Sequence, residues 1–423
     1  NSKDVSVTRD LWDFFNERMN AREQQQHDFL VQASNILVNL EMAGITFDLE
    51  YSKELQEVFE KELYQLEIEI SNTTGRNINP RSPQQISRWF SEQGLILKST
   101  DKDTIEPLHE RPGTSAVVRK FIEQLLLHRR RAKLCGTYVK GFQKRIYKGK
   151  VFTTYTLHGT TSGRLASRNP NMQNIVRDKR IKHQFTVENE NNILIQLDYK
   201  QAEGRVITTL AQDEYLAEIF RDPTRDIFDE LCNDIYGEGN WVKENRVSMK
   251  SIFYGNAYGR GVNAIALALQ QPPNNVDITV EETRDLMHKF NAQISSVVTW
   301  QASVKQRVLT GEDLTTPFGR KRSFWLITDQ NRSDVLNEAL SFLPQSIASD
   351  ICLTALIQLQ QRLHGLATIR LTVHDALILE CKESDKDEVI SIARTEMEKA
   401  GRMFTDYVPF VVDSSFGKRW SDL

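Results

Sequence analysis

The stretch Asn192–Val206, NILIQLDYKQAEGRV, decides the fold. Ile193, Ile195 and Leu197 alternate with Leu194 and Gln196, the pattern of a short strand with mostly buried faces. Asp198 stands where that strand ends. From Lys200 to Leu210 the spacing turns helical, with Val206, Ile207 and Leu210 as the apolar stripe. A carboxylate at the C-terminal end of a strand, over the start of a helix, is placed to hold a cation in a cleft; alone, such an Asp is usually a cap. The stretch LTVHDALILE from Leu371 gives it weight. Two apolar runs, Ile369–Val373 and Leu377–Leu379, flank His374-Asp375 and predict a β-hairpin with the acid at its tip. With the hairpin beside the first strand, about 4.8 Å away, the two carboxylates converge. Two metal ions roughly 3.5–4 Å apart would bridge them, the arrangement used for in-line phosphoryl transfer.

A chain of 423 residues can bury a large core and form two or three lobes. Its 39% hydrophobic and 26% charged content is that of an ordinary globular protein. No apolar run approaches the ~20 residues of a membrane span. No signal peptide is visible, and the first residue is Asn rather than Met, so an upstream part is an open expectation. Cys135, Cys232, Cys352 and Cys381 are far apart and form no CxxC pair, which favours free thiols in a reducing compartment over a zinc site. The net charge of −3 does not by itself suggest nucleic acid. Its distribution is more informative: His128–Lys150 holds nine Lys/Arg and no acid, with further basic clusters at Arg177–Lys182 and Arg320–Arg322. Acid gathers elsewhere, at Glu54–Glu69 and Glu380–Glu398. A charge run is ordinarily a solvated face. Three basic segments beside a candidate metal site fit a polyanion track better.

Along the chain, residues 1–27 read as a polar linker, and 28–70 as helix broken at Gly44. NTTGRNINPRSP from Asn72 is a loop. Helical patterns follow at Gln84–Gln93 and Ser115–Gln143, then short strands and a Gly/Asn/Pro loop over 151–210. Residues 213–310 are largely helical, interrupted by GEGN and QPPNN; helices at Asp334–Leu363 and Asp385–Thr405 bracket the hairpin, and PFVVDSSF is a last strand. Asp48-x-Glu50 reads as a helix-capping pair rather than an exonuclease motif.

In RVSMKSIFYGNAYG from Arg246, the residues Arg246, Lys250, Tyr254 and Tyr258 are spaced four apart and form a stripe on one helix face. Two cations suit a triphosphate and two aromatics suit a base and sugar; in isolation, a surface pair beside core tyrosines would explain them as well. Together these stretches resemble the family A DNA polymerases. LDYKQAEGR is similar to the family's DYSQIELR, Arg246-x3-Lys250-x7-Tyr258-Gly259 to its motif B, VHDALILE to VHDELVLE, and TSGRLASRNPNMQNI to TGRLSSxxPNLQNI. Weaker likeness extends the resemblance over roughly residues 30–423, in the right order.

The resemblance implies an α+β right-hand polymerase fold, with an antiparallel-sheet palm and mostly helical thumb and fingers. Residues 1–48 would lead in, with 49–145 the thumb, 146–212 and 331–423 the palm, and 213–330 the fingers. It implies a template-directed DNA polymerase that adds dNTPs to a primer 3′-hydroxyl and releases pyrophosphate, with two Mg²⁺ (Mn²⁺ able to substitute) held by Asp198, Asp375 and the main-chain carbonyl of Tyr199. Arg246, Lys250, Tyr254, Tyr258, Glu203 and Gln201 would meet the dNTP. Lys250 would donate a proton to the leaving group, and Glu203 would lie beneath the sugar's 2′ position. Arg164, Asn171, Gln173, Asn174, Gln345, His374, Arg129, Arg130 and Lys133 would lie along primer–template DNA, whereas Arg205 would stabilise the core. A bacterial or phage-infected cytoplasm is implied, without a membrane; an upstream domain and replication accessory proteins stay open. Four departures stand out. Ala376 occupies the place of a family Glu, and Phe228 that of a His. Asn337 and Ser341 precede Gln345 where the family has Arg and Asn, and no exonuclease carboxylate cluster precedes residue 30. The rivals are a single-subunit RNA polymerase, against which Glu203 argues, and a catalytically inactive nucleic-acid-binding paralogue, against which the intact Asp198, Asp375, Arg246 and Lys250 argue.

Overall fold

The computed structural model describes residues 2–271 and 274–423. The expected break at QPPNN therefore lies partly outside the described residues, at Pro272 and Pro273. Two compact units emerge: Asn1–Ala43, Tyr155–Ser167 and Ile195–Phe416 form the first, and Gly44–Thr154, Arg168–Leu194 and Gly417–Leu423 the second.

The first unit is organised on a four-stranded sheet and the helices around it. In chain order the elements used below are β1 (Asn192–Tyr199), α1 (Ala202–Ala211), α2 (Lys243–Ala257) and α3 (Arg332–Arg362), followed by β2 (Ala367–Val373), β3 (Ala376–Lys382), α4 (Lys386–Phe404) and β4 (Val412–Gly417). The sheet order is β2-β3-β1-β4. The hairpin therefore lies beside the first strand, with β3 as its neighbour. Ile193, Leu194, Ile195 and Leu197 are all at most 4% exposed, so β1 is covered on both faces, as its near-continuous apolar run requires. The hairpin register closes at Val373↔Ala376, leaving His374 and Asp375 as a two-residue turn in which His374 takes φ 55°. A shift between Ile369 and Leu371 marks a bulge, and there Arg370 turns inward to meet Glu380 at 2.9 Å.

Helix α3 is long and apolar enough to cross a membrane, but 83% of its most apolar window is buried. It is the core helix, packed on α1 and α4 and on Ala21–Ala43. Among the described residues, six helices between Glu214 and Leu309, α2 among them, enclose a second apolar core around Phe220, Phe228, Phe253 and Phe290. The segment read as a linker, 1–27, is instead helical over Ser2–Asn16 and from Ala21 onward. Ser2–Asn16 has no buried residue: its large apolar side chains Val5, Val7, Leu11, Trp12, Phe14 and Phe15 are all exposed.

In the second unit, Leu49–Thr74 packs on Ala116–Lys133 and on the π-helical turn Leu134–Lys140 that continues it. Asp48 does cap the first of these helices, accepting from Tyr51 N at 2.9 Å. A small sheet of order Ile146–Tyr147, Lys150–Val151, Ile45–Phe47 and Phe185–Thr186 closes beside them. All four cysteines are free and buried.

Arg370 and Glu380 are 6% and 1% exposed and offset each other's lost hydration, with Arg370 Nη1 also donating to Ala43 O at 3.3 Å. Glu380→Gln should cost about 3–5 kcal/mol in urea unfolding, because it removes the counter-charge of a buried guanidinium. Replacing both by apolar residues of similar volume should recover most of that loss; equal destabilisation by the single and double variants would contradict the explanation.

Candidate active site

Strand β1 delivers Asp198 to its C-terminal end, and the hairpin turn delivers Asp375. The two meet through the backbone as well, since Tyr199 N donates to Asp375 O at 3.4 Å. Asp198 is accessible on the sheet face, yet the protein packed around it and the nearby Asp375 and Asp413 carboxylates push it up to about 6. Burial raises Asp375 too, opposed by the charges of Arg164 and His374. Glu203, in the first turn of α1, is pushed up to about 8 by burial and by Asp375. Arg164 is in ion-pair contact with Glu203, which favours the charged carboxylate. Arg164, Asp198, Glu203 and Asp375 thus form one electrostatically coupled group.

Among the described residues no three His, Cys, Asp or Glu side chains are arranged to hold a metal. A cation here would have two carboxylates, completed by main-chain oxygen, water or a ligand phosphate. That set fits Mg²⁺, a hard ion that keeps several waters and is commonly bound through one or two carboxylates plus phosphate. Tyr199 is 5% exposed, its hydroxyl donating to Met397 O at 2.6 Å, so the main chain beside Asp198 is firmly anchored.

Helix α2 carries the expected stripe, with one adjustment: it ends at Ala257, and Tyr258 is its C-cap. The rings of Tyr254 and Tyr258 still stack, 6.5 Å apart and 28° from parallel. Gly259 follows at φ +73°, and a Cβ there would fall 2.3 Å from Asn337 Oδ1, so the Tyr-Gly pair is a packing requirement as well as a motif. Lys250 is exposed and has no ion pair among the described residues. Arg246 is not free: it meets Asp226 at 3.0 Å and Asp229 at 2.6 Å. Phe228, 2% exposed, lies in the core beneath the Arg246 guanidinium and presents no polar group. Tyr254 is half-buried, and burial, followed by the charges of Glu203, Asp375 and Asp226, raises its hydroxyl. Gln201 takes φ 54° and reaches Asp226 at 3.5 Å. Arg205 is 4% exposed and donates to the carbonyls of Lys200, Phe220 and Pro409, which makes it a core residue as expected.

Gln345 is half-buried in α3, and His374 is exposed at the hairpin tip. Asn171, Gln173, Asn174, Arg129, Arg130 and Lys133 belong to the second unit. There Asn171 Oδ1 accepts from Asn174 N, Gln173 is buried, Arg129 is tied to Thr100 O, and Arg130 and Lys133 are exposed.

The basic runs are less free than their sequence suggests. Lys321, Arg320 and Arg322 are each spent on Asp313, Asp350 and Glu338. The acidic helix Leu49–Thr74, expected apart from the basic run, packs on it instead: Glu62 meets Arg131 at 2.7 Å and Glu60 meets Lys140 at 2.6 Å. Residues that sequence reasoning did not single out include Asp226 and Asp229, which hold Arg246, and Asp413, whose charge reaches Asp198. Their only signal was an acid close to the motifs in space, which a linear reading does not supply.

The model of DNA polymerase family A matches residues 49–422. The chain belongs to DNA polymerase family A. It is 28% identical to DNA polymerase I of Helicobacter pylori over 403 residues, covering 92% of this chain and 43% of that one. It is 28% identical to DNA polymerase I of Geobacillus stearothermophilus over 427 residues, 96% of this chain and 47% of that one. With the thermostable DNA polymerase I of Thermus thermophilus the identity is 27% over 419 residues, 93% and 48%. This family A chain therefore spans about half the length of these relatives. Among solved structures it is similar to the POL domain of Pol1 from M. smegmatis in complex with DNA primer-template and dNTP, with TM-score 0.82 and 27% identity over 93% of this chain and 70% of that one. The mixed α+β class is thereby established for the family A fold described above.

The raised Asp198 carboxyl gives a signed expectation for metal-free protein. Folded Asp198 binds its proton up to about pH 6, whereas unfolded it releases it near 3.8, so the folded state holds more protons between those values and stability falls as pH rises through them. In EDTA, Asp198→Asn should match wild type near pH 4 and be the more stable protein at pH 7–8, by urea unfolding. A stability difference independent of pH would contradict the carboxylate crowding.

Proposed function

We propose that this chain is the catalytic part of a template-directed DNA polymerase that extends a primer 3′-hydroxyl with dNTPs. The observation that carries the reading is the convergence of Asp198 and Asp375, at the head of α1 and within reach of the charge on Arg164. Family membership supports it, as does the similar solved structure that binds DNA primer-template and dNTP. Family A polymerases use divalent metal ions. Asp198, Asp375 and the carbonyl of Tyr199 would hold two Mg²⁺, which supply an activated 3′-hydroxyl and neutralise the triphosphate and leaving pyrophosphate.

The protein's own groups account for the remaining tasks. Lys250, exposed on α2, faces solvent with its ammonium uncommitted and is the residue to neutralise the triphosphate and give a proton to the departing pyrophosphate. Arg246 joins it by exchanging the carboxylates of Asp226 and Asp229 for phosphate oxygens. Glu203 occupies the space beneath the sugar, where a bulky side chain excludes a 2′-hydroxyl; this favours deoxyribonucleotides and argues against an RNA polymerase. Arg164 holds Glu203 in place and presents its donors to the minor-groove edge of the primer terminus, where acceptors are common to every base pair. Gln345 and His374 would extend that contact along the duplex, and Asn171, Gln173 and Asn174 are proposed as DNA contacts of the second unit in its own right. Arg130 and Lys133 are the exposed cations of the 128–150 run suited to its phosphates. The thumb, palm and fingers assignments stay with this reading.

The test is primer extension with Mg²⁺ and dNTPs. Asp198→Asn and Asp375→Asn should each abolish extension while primer–template affinity, which rests mainly on phosphate contacts, stays near wild type. Substantial extension by either variant at saturating Mg²⁺ would overturn the assignment.

Tyr254 yields a finer expectation. Its hydroxyl has no hydrogen-bond partner among the described residues, although the ring is packed against Phe253 and Phe228. A dideoxynucleotide lacks the 3′-hydroxyl that helps order the triphosphate, and the Tyr254 hydroxyl can take that place. A hydrogen bond to a charged group is worth about 1.5–3 kcal/mol, or roughly a tenfold to hundredfold effect on selection. The protein should accept dideoxynucleotides readily, and Tyr254→Phe should restore discrimination with dNTP use nearly unchanged. Equal discrimination by the two proteins in competition assays would refute the role of the hydroxyl.

A further inference from the structure

Arg320 and Asp350 form a buried pair that the proposed chemistry does not use. Arg320 meets Asp350 through two nitrogens, Nη2 to Oδ1 at 2.6 Å and Nε to Oδ2 at 3.4 Å, and the Asp350 side chain is 0% exposed. Such a pair is a weak device for stability, since apolar residues of similar volume do as well. Its surroundings suggest another purpose. The guanidinium lies flat against Gly163, which has φ +73°; a Cβ at that position would fall 2.4 Å from Arg320 Cζ. Around the same turn each successive carbonyl is held by a different side chain. Arg322 Nη1 donates to Thr161 O at 3.0 Å, Ser346 Oγ to Ser162 O at 2.5 Å, Ser349 Oγ to Gly163 O at 3.2 Å, and Thr160 Oγ1 to Arg164 O at 2.8 Å. The backbone of Arg320 is itself locked, its N–H donating to Thr316 Oγ1 at 3.1 Å and its carbonyl accepting from Thr316 N at 2.8 Å. What emerges from this turn is the Arg164 side chain, in contact with Glu203.

We propose that Arg320 and Asp350 are positioning residues that act through the Thr160–Arg164 turn to set where Arg164 stands against Glu203 and Asp375. The fork of Arg320 fills the place a side chain at 163 would take, and α3 supplies the fixed wall from which Asp350, Ser346 and Ser349 hold the turn. A rigid turn matters because a group misplaced by about an ångström at a reacting centre costs on the order of a hundredfold in rate. The activity arm of the test rests on the polymerase reading; the structural arm does not.

The deciding variant is the double replacement Arg320→Met/Asp350→Leu, which removes the pair without stranding a buried charge. Its urea unfolding should stay close to wild type. Its kcat for single-nucleotide addition should fall roughly tenfold to hundredfold, and the same replacement made in an Arg164→Ala background should lower kcat no further. In parallel, amide hydrogen exchange at Gly163–Leu165 should accelerate in the double variant, and less in the conservative Arg320→Lys. Unchanged kcat, or a fall of the same size in the Arg164→Ala background, would overturn the proposal. If wild type does not extend primers, the polymerase reading fails and the exchange arm decides: unchanged protection at 163–165 overturns the clamp, and lost protection supports it.

Discussion

Two carboxylates held close together repel each other, and the first unit is arranged so that they cannot move apart. Asp198 stands at the end of a strand covered on both faces, and Asp375 in a two-residue turn closed by antiparallel pairing on either side. The backbone bond from Tyr199 to Asp375 ties the two segments. The cost appears in the carboxyl of Asp198, pushed up to about 6 by burial and its neighbours. In the proposed reading, a hard divalent ion between them would convert that repulsion into attraction.

Around this centre the protein places charge in pairs that leave few groups free. Arg246 rests on Asp226 and Asp229, and Arg164 on Glu203, whereas Lys250 stands open to solvent. In the proposed reading, a ligand with several phosphate oxygens would meet one ready cation and a second that must exchange partners. Because an exposed ion pair contributes little to stability, that exchange is inexpensive.

The strand around Leu197, the hairpin at His374-Asp375 and the helix bearing Lys250 were legible because each follows a short-range rule: period two, apolar runs about a turn, and spacing of four. The places of Asp198, Asp375 and Lys250 on those elements came with them, and the four motifs in order also pointed to the family. What was not legible depended on pairing distant in sequence. The acidic run Glu54–Glu69 and the basic run after His128 read as separate faces, yet they neutralise each other across packed helices. Arg320–Arg322 read as a free basic cluster, although the acids that hold it lie on different elements: Asp313 just before the turn, and Glu338 and Asp350 on α3. Asp413 gave no sign of its reach to Asp198, because only sheet order brings β4 beside β1. The Ser2–Asn16 helix was read as linker although it carries apolar residues at helical spacing, Val7, Leu11 and Phe14, all of them exposed.

The central claim is that Asp198 and Asp375 hold divalent cations jointly. The direct measurement is a crystal structure with primer–template, an incoming non-hydrolysable nucleotide and Mn²⁺, using anomalous scattering to locate the metal. The account predicts anomalous density touching both carboxylates, and its loss in Asp375→Asn. Manganese bound to the triphosphate alone, with neither Asp198 nor Asp375 among its ligands, would contradict it.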